Sequence, residues 1–94
     1  MRELEVREAM RAGPLRRYLN DTHSRVVDEL AICMGEARID MAVINGKLSG
    51  YEIKSESDTL IRLPKQADVY ARVFDELTLV MDRRHSEGAL KMLP

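Results

Sequence analysis

The hydrophobic pattern of the N-terminal third of the chain is that of helices. Residues 2–11 are rich in Glu, Arg, Ala and Met, which favour helix, and Gly13 and Pro14 end that pattern. Residues 15–20 allow one more helical turn. A second helix with one side facing a core is predicted from five apolar residues at helical spacing, which are Val26, Val27, Leu30, Ala31 and Met34.

An alternation typical of strands begins at residue 37. In ARIDMAVI, residues 37–44, apolar side chains alternate with polar or small ones, which is the period of a half-buried strand. Asn45 and Gly46 are a strong hairpin turn signal, and LSGYEIKS, residues 48–55, returns as a second strand. The two segments therefore predict an antiparallel hairpin.

The rest of the chain predicts a helix, a strand and a short terminal helix. Pro64 suits the first turn of a helix whose apolar face is marked within residues 63–74. ELTLVMD, residues 76–82, alternates as a strand, and residues 86–93 allow a final short helix. A helix that links the hairpin to the last strand predicts a crossover with parallel pairing. The fold class is therefore α/β, with a mixed sheet, a central hairpin and flanking helices.

Composition indicates the size and the compartment of the protein. The chain has 94 residues, which predicts one domain, 1–94, with a core over about residues 22–82. The formal net charge is -1, so no overall basic field points to nucleic acid. The lone Cys33 is expected to be a small buried side chain in a reducing compartment, and the methionines are expected to fill the core. No apolar run is long enough to span a membrane, and a cytoplasmic protein is predicted.

Polar side chains occupy positions where a purely structural protein would favour apolar ones. They lie on four successive predicted elements: Glu29, Asp40, Glu52, Lys54, Gln66 and Tyr70. Ordinary alternatives exist for each of them. The two hairpin acids could lie on a solvated strand edge, Glu29 could pair with Arg25, and Tyr70 could belong to the core. The whole set is better explained by a site that holds a metal and handles phosphate.

Three stretches, ARID, GYEIKSESDTL and PKQADVY, together resemble the PD-(D/E)XK nuclease superfamily. The resemblance rests on Asp40, on the triplet Glu52-Ile53-Lys54 and on a Q-x-x-x-Y motif typical of the exonuclease-like and RecB-like branch. It covers about residues 26–81, and the local sequence is similar to that of a small uncharacterised bacterial family within the superfamily. The proline that names the motif is absent, since Ile39 precedes Asp40. Superfamily members usually continue further, so we expect a C-terminal portion to be absent or supplied by a partner chain.

The resemblance implies a restriction-endonuclease-like fold and a Mg²⁺- or Mn²⁺-dependent deoxyribonuclease, acting in DNA repair, recombination or phage and mobile-element biology. The implied metal ligands are Glu29, Asp40, Glu52 and the carbonyl of Ile53. The implied catalytic residues are Asp40, Glu52, Lys54 and Gln66. The implied DNA contacts are Arg38, Arg62, Lys65 and Tyr70. The alternative is a non-catalytic nucleic-acid-binding or assembly module that keeps the fold. A homodimer or larger homo-oligomer is expected, because a small domain presents only part of a groove for DNA.

The length of the hairpin loop decides whether Asp40 and Glu52 can share a site. A two-residue loop at the Asn-Gly pair would pair Ile44 with Lys47 and point Asp40 away from Glu52, because a one-residue slip reverses every side chain. An odd number of loop residues places both acids on the same face. A shared site therefore predicts a three-residue loop with Gly46 in a left-handed bulge conformation, or another connection of odd length.

Overall fold

The computed structural model describes residues 2–55 and 58–81 of the chain. The elements are α1 (Glu3–Ala12), α2 (Arg16–Leu19), β1 (Arg25–Ile32), a short 3-10 turn (Cys33–Gly35), β2 (Ala37–Ile44), β3 (Leu48–Lys54), α3 (Leu63–Ala71) and β4 (Glu76–Met81). In the described part of the chain, no helix has the length and apolar character needed to cross a membrane. The predicted final helix at residues 86–93 lies outside the described residues.

The four strands form one mixed sheet in the order β1-β2-β3-β4. β1 pairs with β2, and β2 with β3, in antiparallel orientation, whereas β3 and β4 are parallel. The predicted hairpin and the parallel pairing across the α3 crossover are therefore confirmed. The chain is a small α/β protein, as predicted from the pattern.

Apolar side chains form two cores, one with α3 and one with α1 and α2. The α3 core contains Ile39, Ala42, Tyr70 and Phe74 among its buried residues. The other core joins the N-terminal residues Met10 and Leu15 to Met41, Val43 and Ile53 of the hairpin. Residues 39–43 of β2 contribute to both cores, which makes β2 the central strand of the packing.

The second predicted helix is wrong, because residues 25–32 form the strand β1. Glu29, in the middle of this strand, has a φ of +54°. Val26 packs against the α1 core, whereas Leu30 packs against the α3 core, although regular alternation would place both on one face. The distortion at Glu29 shifts the alternation by one residue. The apolar spacing of four between Val26 and Leu30 fits a strand as well as a helix, which is why the sequence pattern did not separate the two.

The turn between β1 and β2 is exposed and has a strained backbone. Cys33, Met34 and Gly35 all have left-handed backbones, with φ values of +51°, +57° and +86°. Cys33 is exposed and Met34 is fully exposed, so their predicted burial is wrong. A left-handed conformation costs about 1–2 kcal/mol for each non-glycine residue, so the surrounding structure must hold this turn in place.

Three residues, 45–47, join β2 to β3, as a shared acidic site requires. The central glycine of this loop has a φ of +90°. Met41 pairs with Tyr51, so Asp40 and Glu52 come next across the two strands. The predicted loop length and glycine conformation are therefore confirmed.

We expect Gly50→Ala to lower the free energy of unfolding by about 1–3 kcal/mol, because overpacking a close-packed core forces side chains out of place. A Cβ atom at Gly50 would lie 3.0 Å from Cγ of Phe74 and 3.1 Å from its Cδ1 and Cδ2 atoms. The Phe74 ring is buried in the α3 core and has little room to move. Urea denaturation measures the loss.

A Phe74→Leu background provides the control, since it removes the ring that the new methyl group would meet. Gly50→Ala should cost much less in that background than in the wild type. Equal costs in the two backgrounds would show that the ring contact is not the cause.

Candidate functional site

Asp40 marks the point where β2 and β3 stop pairing. The paired residues of this hairpin end at Met41 and Tyr51, while β3 continues beside β4 as far as Lys54. In place of a backbone partner, Asp40 Oδ2 accepts a hydrogen bond of 2.7 Å from the N–H of Ile53. A cleft of about 510 Å³ opens beside this junction and includes residues of β2, β3 and α3.

Glu52 is a buried carboxyl group in this cleft and only 3% exposed. Its Oε1 atom lies 3.1 Å from the hydroxyl of Tyr70, and its Oε2 atom lies 3.4 Å from Nζ of Lys54. Burial, and then the charge of Asp40, raise the pKa of Glu52 to about 7, although Lys54 and Tyr70 act in the opposite direction. Glu52 therefore exchanges its proton near neutral pH.

Lys54 connects the acidic pair to α3. Its Nζ atom donates a hydrogen bond of 2.9 Å to Oε1 of Gln66, and it forms the ion pair with Glu52. Both Lys54 and Glu52 are buried. The structure thus brings together four predicted residues, Asp40, Glu52, Lys54 and Gln66, in one cleft.

Tyr70 lies in the core rather than on the surface of the cleft. Its ring is fully buried and packs edge-on against Phe74, with ring centroids 5.9 Å apart. Its hydroxyl lies 2.9 Å from the carbonyl oxygen of Arg38 and 3.1 Å from Glu52. Burial and the charge of Glu52 raise the pKa of Tyr70, so the hydroxyl stays protonated and donates. The hydroxyl has one proton for these two acceptors, and the structure places Tyr70 between them in the core rather than at the surface, where a DNA contact was expected.

Arg7 of α1 is the site residue that the sequence analysis missed. Its NH2 atom lies 2.7 Å from Glu3 Oε2, 3.4 Å from Asp40 Oδ1 and 3.9 Å from Glu29 Oε1, and its side chain is 13% exposed. Burial would lower the pKa of Arg7, but the hydrogen bond to Glu3 and the charges of the three acids outweigh it and raise the pKa. The spacing of Glu3 and Arg7 was the available signal, but it does not show which face of α1 meets the sheet.

The outer part of the cleft carries exposed cations beside further acids, since Glu3, Glu36 and Asp58 also line it. All three positively charged residues that were expected to contact DNA line it and are exposed: Arg38, Arg62 and Lys65. Arg38 belongs to β2, whereas Arg62 and Lys65 lie at the start of α3. These three residues are called the basic rim below. The cleft therefore combines the buried Glu52 and the partly buried Asp40 with an outer surface of mixed charge.

The acids do not form a closed metal cage. Within residues 2–55 and 58–81, no group of three or more His, Cys, Asp or Glu side chains is placed to hold a metal ion. Glu29 lies on β1 rather than on a helix, its carboxylate is half-exposed, and it meets Arg7. Asp40 and Glu52 remain as a pair of oxygen donors. Such a pair fits Mg²⁺ or Mn²⁺ when water and phosphate supply the other ligands.

Comparison with known proteins decides the family. The family model described as Bacteriophage P4 protein cII matches residues 5–94. The chain belongs to the bacteriophage P4 protein cII family. Protein cII of Enterobacteria phage P4 is 32% identical over 81 residues, which are 85% of this chain and 30% of that protein. The chain thus spans less than a third of the length of that relative. No solved structure matches the chain.

The predicted membership of the PD-(D/E)XK nuclease superfamily is wrong, because the matching family is that of the phage protein cII. The nuclease function that was inferred from the resemblance is withdrawn with it. The motif residues Asp40, Glu52, Lys54 and Gln66 do line one cleft, but the family match does not support the nuclease assignment. The pattern located a site without identifying the family.

Glu52→Gln should make the protein more stable than the wild type at alkaline pH. The folded-state pKa of Glu52 is about 7, above the ordinary value of 4.5, so the folded protein binds this proton more tightly than the unfolded chain does. Its contribution is fully present below pH 4.5 and is lost as the pH rises through about 7. The difference approaches an upper limit of about 3 kcal/mol. Urea denaturation at acidic and alkaline pH measures it.

Glu8→Gln is the matched control, because it removes a carboxylate from an exposed position of α1. It should leave the pH dependence of the wild type unchanged. If the stability gap between the wild type and Glu52→Gln does not widen as the pH rises, Glu52 is not the group that titrates.

Proposed function

We propose that this domain binds nucleic acid and holds a phosphate group in the cleft between a divalent cation and the basic rim. One observation carries the proposal, namely that a buried acid, its partly buried neighbour and three exposed cations line the same cleft. A phosphate group with Mg²⁺ or Mn²⁺ presents both charges that such a cleft can receive. The family provides the phage context, and the partner is inferred from the cleft alone.

The acidic pair supports the cation. Asp40 repels the ionised form of Glu52, and this repulsion contributes to the raised pKa of Glu52. A bound divalent cation would cancel these like charges and offer positive charge to a phosphate oxygen. Mg²⁺ is commonly held in proteins by one or two carboxylates together with phosphates and water. Asp40 and Glu52 would hold the cation, and the expected part of the Ile53 carbonyl stays a prediction.

The basic rim supports the phosphate. Arg38 and Arg62 each offer a planar guanidinium group, which suits two hydrogen bonds to one phosphate. Lys54 lies deeper in the cleft, where Gln66 and Glu52 hold its ammonium group. The formal net charge of the chain is -1, so an overall basic field does not supply the attraction, and the proposal assigns it to these cations.

Two expectations, the finer fold and self-association, remain predictions beside this proposal. The four strands and the α3 crossover are compatible with a restriction-endonuclease-like sheet, although no solved structure matches. Self-association into a homodimer or larger assembly is the second expectation, and light scattering measures it. A monomer at high protein concentration would show that this expectation is wrong. Deoxyribonuclease activity is not part of the proposal, which concerns binding only.

Arg62→Ala with Lys65→Ala should weaken binding to a short labelled DNA duplex. Each phosphate contact contributes about 0.9 to the slope of log K against log salt, so the slope should fall in magnitude by about 2. Fluorescence anisotropy over a range of salt concentrations measures both the affinity and the slope.

Arg16→Ala with Arg17→Ala is the matched control for this pair. It removes two exposed cations from α2, which does not line the cleft. The control should bind DNA nearly as the wild type does. Equal losses in the two double variants would mean that DNA binds diffusely over the surface and not in the cleft.

Asp40→Asn should abolish the dependence of DNA binding on Mn²⁺. The asparagine oxygen can still accept the hydrogen bond from Ile53, so the strand junction is kept while one negative charge is lost. Its stability without metal should be unchanged or higher. For the wild type with DNA, a hundredfold excess of Mn²⁺ over its Kd should add about 2.7 kcal/mol of stability, and the variant should show little of this gain.

DNA and Mn²⁺ should also raise each other's affinity by the same factor, because binding coupling is reciprocal. Titrations of Mn²⁺ with and without DNA, beside a chelator control, measure that factor. If the wild type binds DNA with the same affinity in Mn²⁺ and in chelator, the cation plays no part in binding. Only the part of the proposal that concerns the basic rim would then stand.

A further inference from the structure

The two carboxylate oxygens of Asp40 have different partners. Its Oδ2 atom accepts the hydrogen bond from the N–H of Ile53, so the backbone fixes the position of the carboxylate. Its Oδ1 atom lies 3.4 Å from the guanidinium of Arg7 on α1. Because Oδ2 is already bonded to the backbone, Oδ1 is the oxygen that a divalent cation in the cleft would use. Arg7 and the cation therefore need the same atom.

Arg7 has a closer partner than Asp40. Its guanidinium lies 2.7 Å from Oε2 of Glu3, one turn earlier on α1, and 3.9 Å from Oε1 of Glu29 on β1. Hydrogen bonds between an ammonium-type nitrogen and a carboxylate are about 2.7–2.9 Å long, so the contact with Glu3 is a full bond and the contact with Asp40 is a loose one. Arg7 can thus give up Asp40 and still keep an acidic partner.

Arg7 and Asp40 meet where water screens their charges only in part. Their side chains are 13% and 18% exposed, so the charge of one acts strongly on the other. Among the described residues that line the cleft are Glu3 and Asp40, but not Arg7. A cation can therefore reach Asp40 from the cleft, while the guanidinium approaches it from α1.

We propose that Arg7 is a built-in counter-ion that regulates the cation site of the cleft. Without a cation it neutralises Asp40, and it shifts to Glu3 when Mg²⁺ or Mn²⁺ binds at Oδ1. This inference rests on the proposed cation site and adds what controls its affinity. A cation alone must work against the positive charge of Arg7, whereas a cation that arrives with a phosphate group brings negative charge with it. The cleft therefore holds its cation loosely until nucleic acid binds.

Calorimetric titration with Mn²⁺ in the absence of DNA measures the affinity of the site. Arg7→Gln should lower the Kd for Mn²⁺ about tenfold, because a partly buried ion pair is stronger than an exposed one. Thermal melting of the variant without metal shows whether it is folded. If it is not, the Nε–H signal of Arg7 in the wild type decides, since it should shift on addition of Mg²⁺ while that of Arg11 should not.

Arg11→Gln is the matched control. It removes the same charge from the same helix one turn further on, where Arg11 lies 2.9 Å from Asp28 of β1. Neither of these two residues lines the cleft. The Kd of this variant for Mn²⁺ should therefore stay near that of the wild type.

Glu3→Gln tests the exchange of partners and keeps Arg7 in place. Loss of the Glu3 carboxylate leaves Arg7 to pair with Asp40, so Mn²⁺ should bind several-fold more weakly than to the wild type. In a protein that already carries Arg7→Gln, the same change should have little effect, because no guanidinium is left to redirect. A direct effect of the Glu3 charge on the cation would be equal in the two backgrounds.

The inference fails in three distinguishable ways. If folded Arg7→Gln binds Mn²⁺ no more tightly than the wild type, or if Arg11→Gln gains as much, Arg7 does not regulate the site and the proposed function stands. If Glu3→Gln acts equally in both backgrounds, Arg7 does not exchange partners. If the wild type and Arg7→Gln both fail to bind Mn²⁺ even with DNA, the cation part of the proposed function falls and this inference with it.

Discussion

The hydrogen bond from the Ile53 N–H to the carboxylate of Asp40 is the interaction on which the site depends. β2 and β3 stop pairing at this point, and a backbone N–H inside a protein needs a partner. A side chain of β2 supplies it at 2.7 Å. Ile53 can then pack in the α1 core, while Glu52 and Lys54 contact α3 residues. The same bond therefore ends the hairpin, opens the cleft and places the second acid beside the first.

The acids at this junction are balanced by a cation of α1 and by a lysine that contacts α3. Arg7 of α1 approaches Asp40, and Lys54 pairs with Glu52 and is held by Gln66 of α3. The balance is incomplete, because burial and the remaining repulsion still keep the pKa of Glu52 near 7. A group that is held against its ordinary ionisation costs stability. Proteins commonly accept such a cost at sites where a ligand later supplies the missing charge.

Local sequence patterns predicted the hairpin but not the contacts between distant segments of the chain. The Asn-Gly signal placed the turn, but only the requirement that Asp40 and Glu52 share a site selected the three-residue loop that the structure shows. The left-handed backbone at Glu29 could not be foreseen, and the apolar spacing of four in β1 fits a helix as well as a strand. Arg7 was missed because its role depends on how α1 lies against the sheet. Nor could the exposure of Met34 be inferred from its apolar character, since the left-handed turn at Cys33–Gly35 determines it.

The most direct test of the cleft as the binding site is an NMR titration of the 94-residue protein with a short DNA duplex in Mg²⁺. The account predicts that the largest amide shifts occur at Arg38, Ile53, Lys54 and Gln66. Signals from α2 and from the loop at residues 45–47 should move little. Shifts that centre on α2, or that spread evenly over the surface, would contradict the claim that the cleft binds nucleic acid.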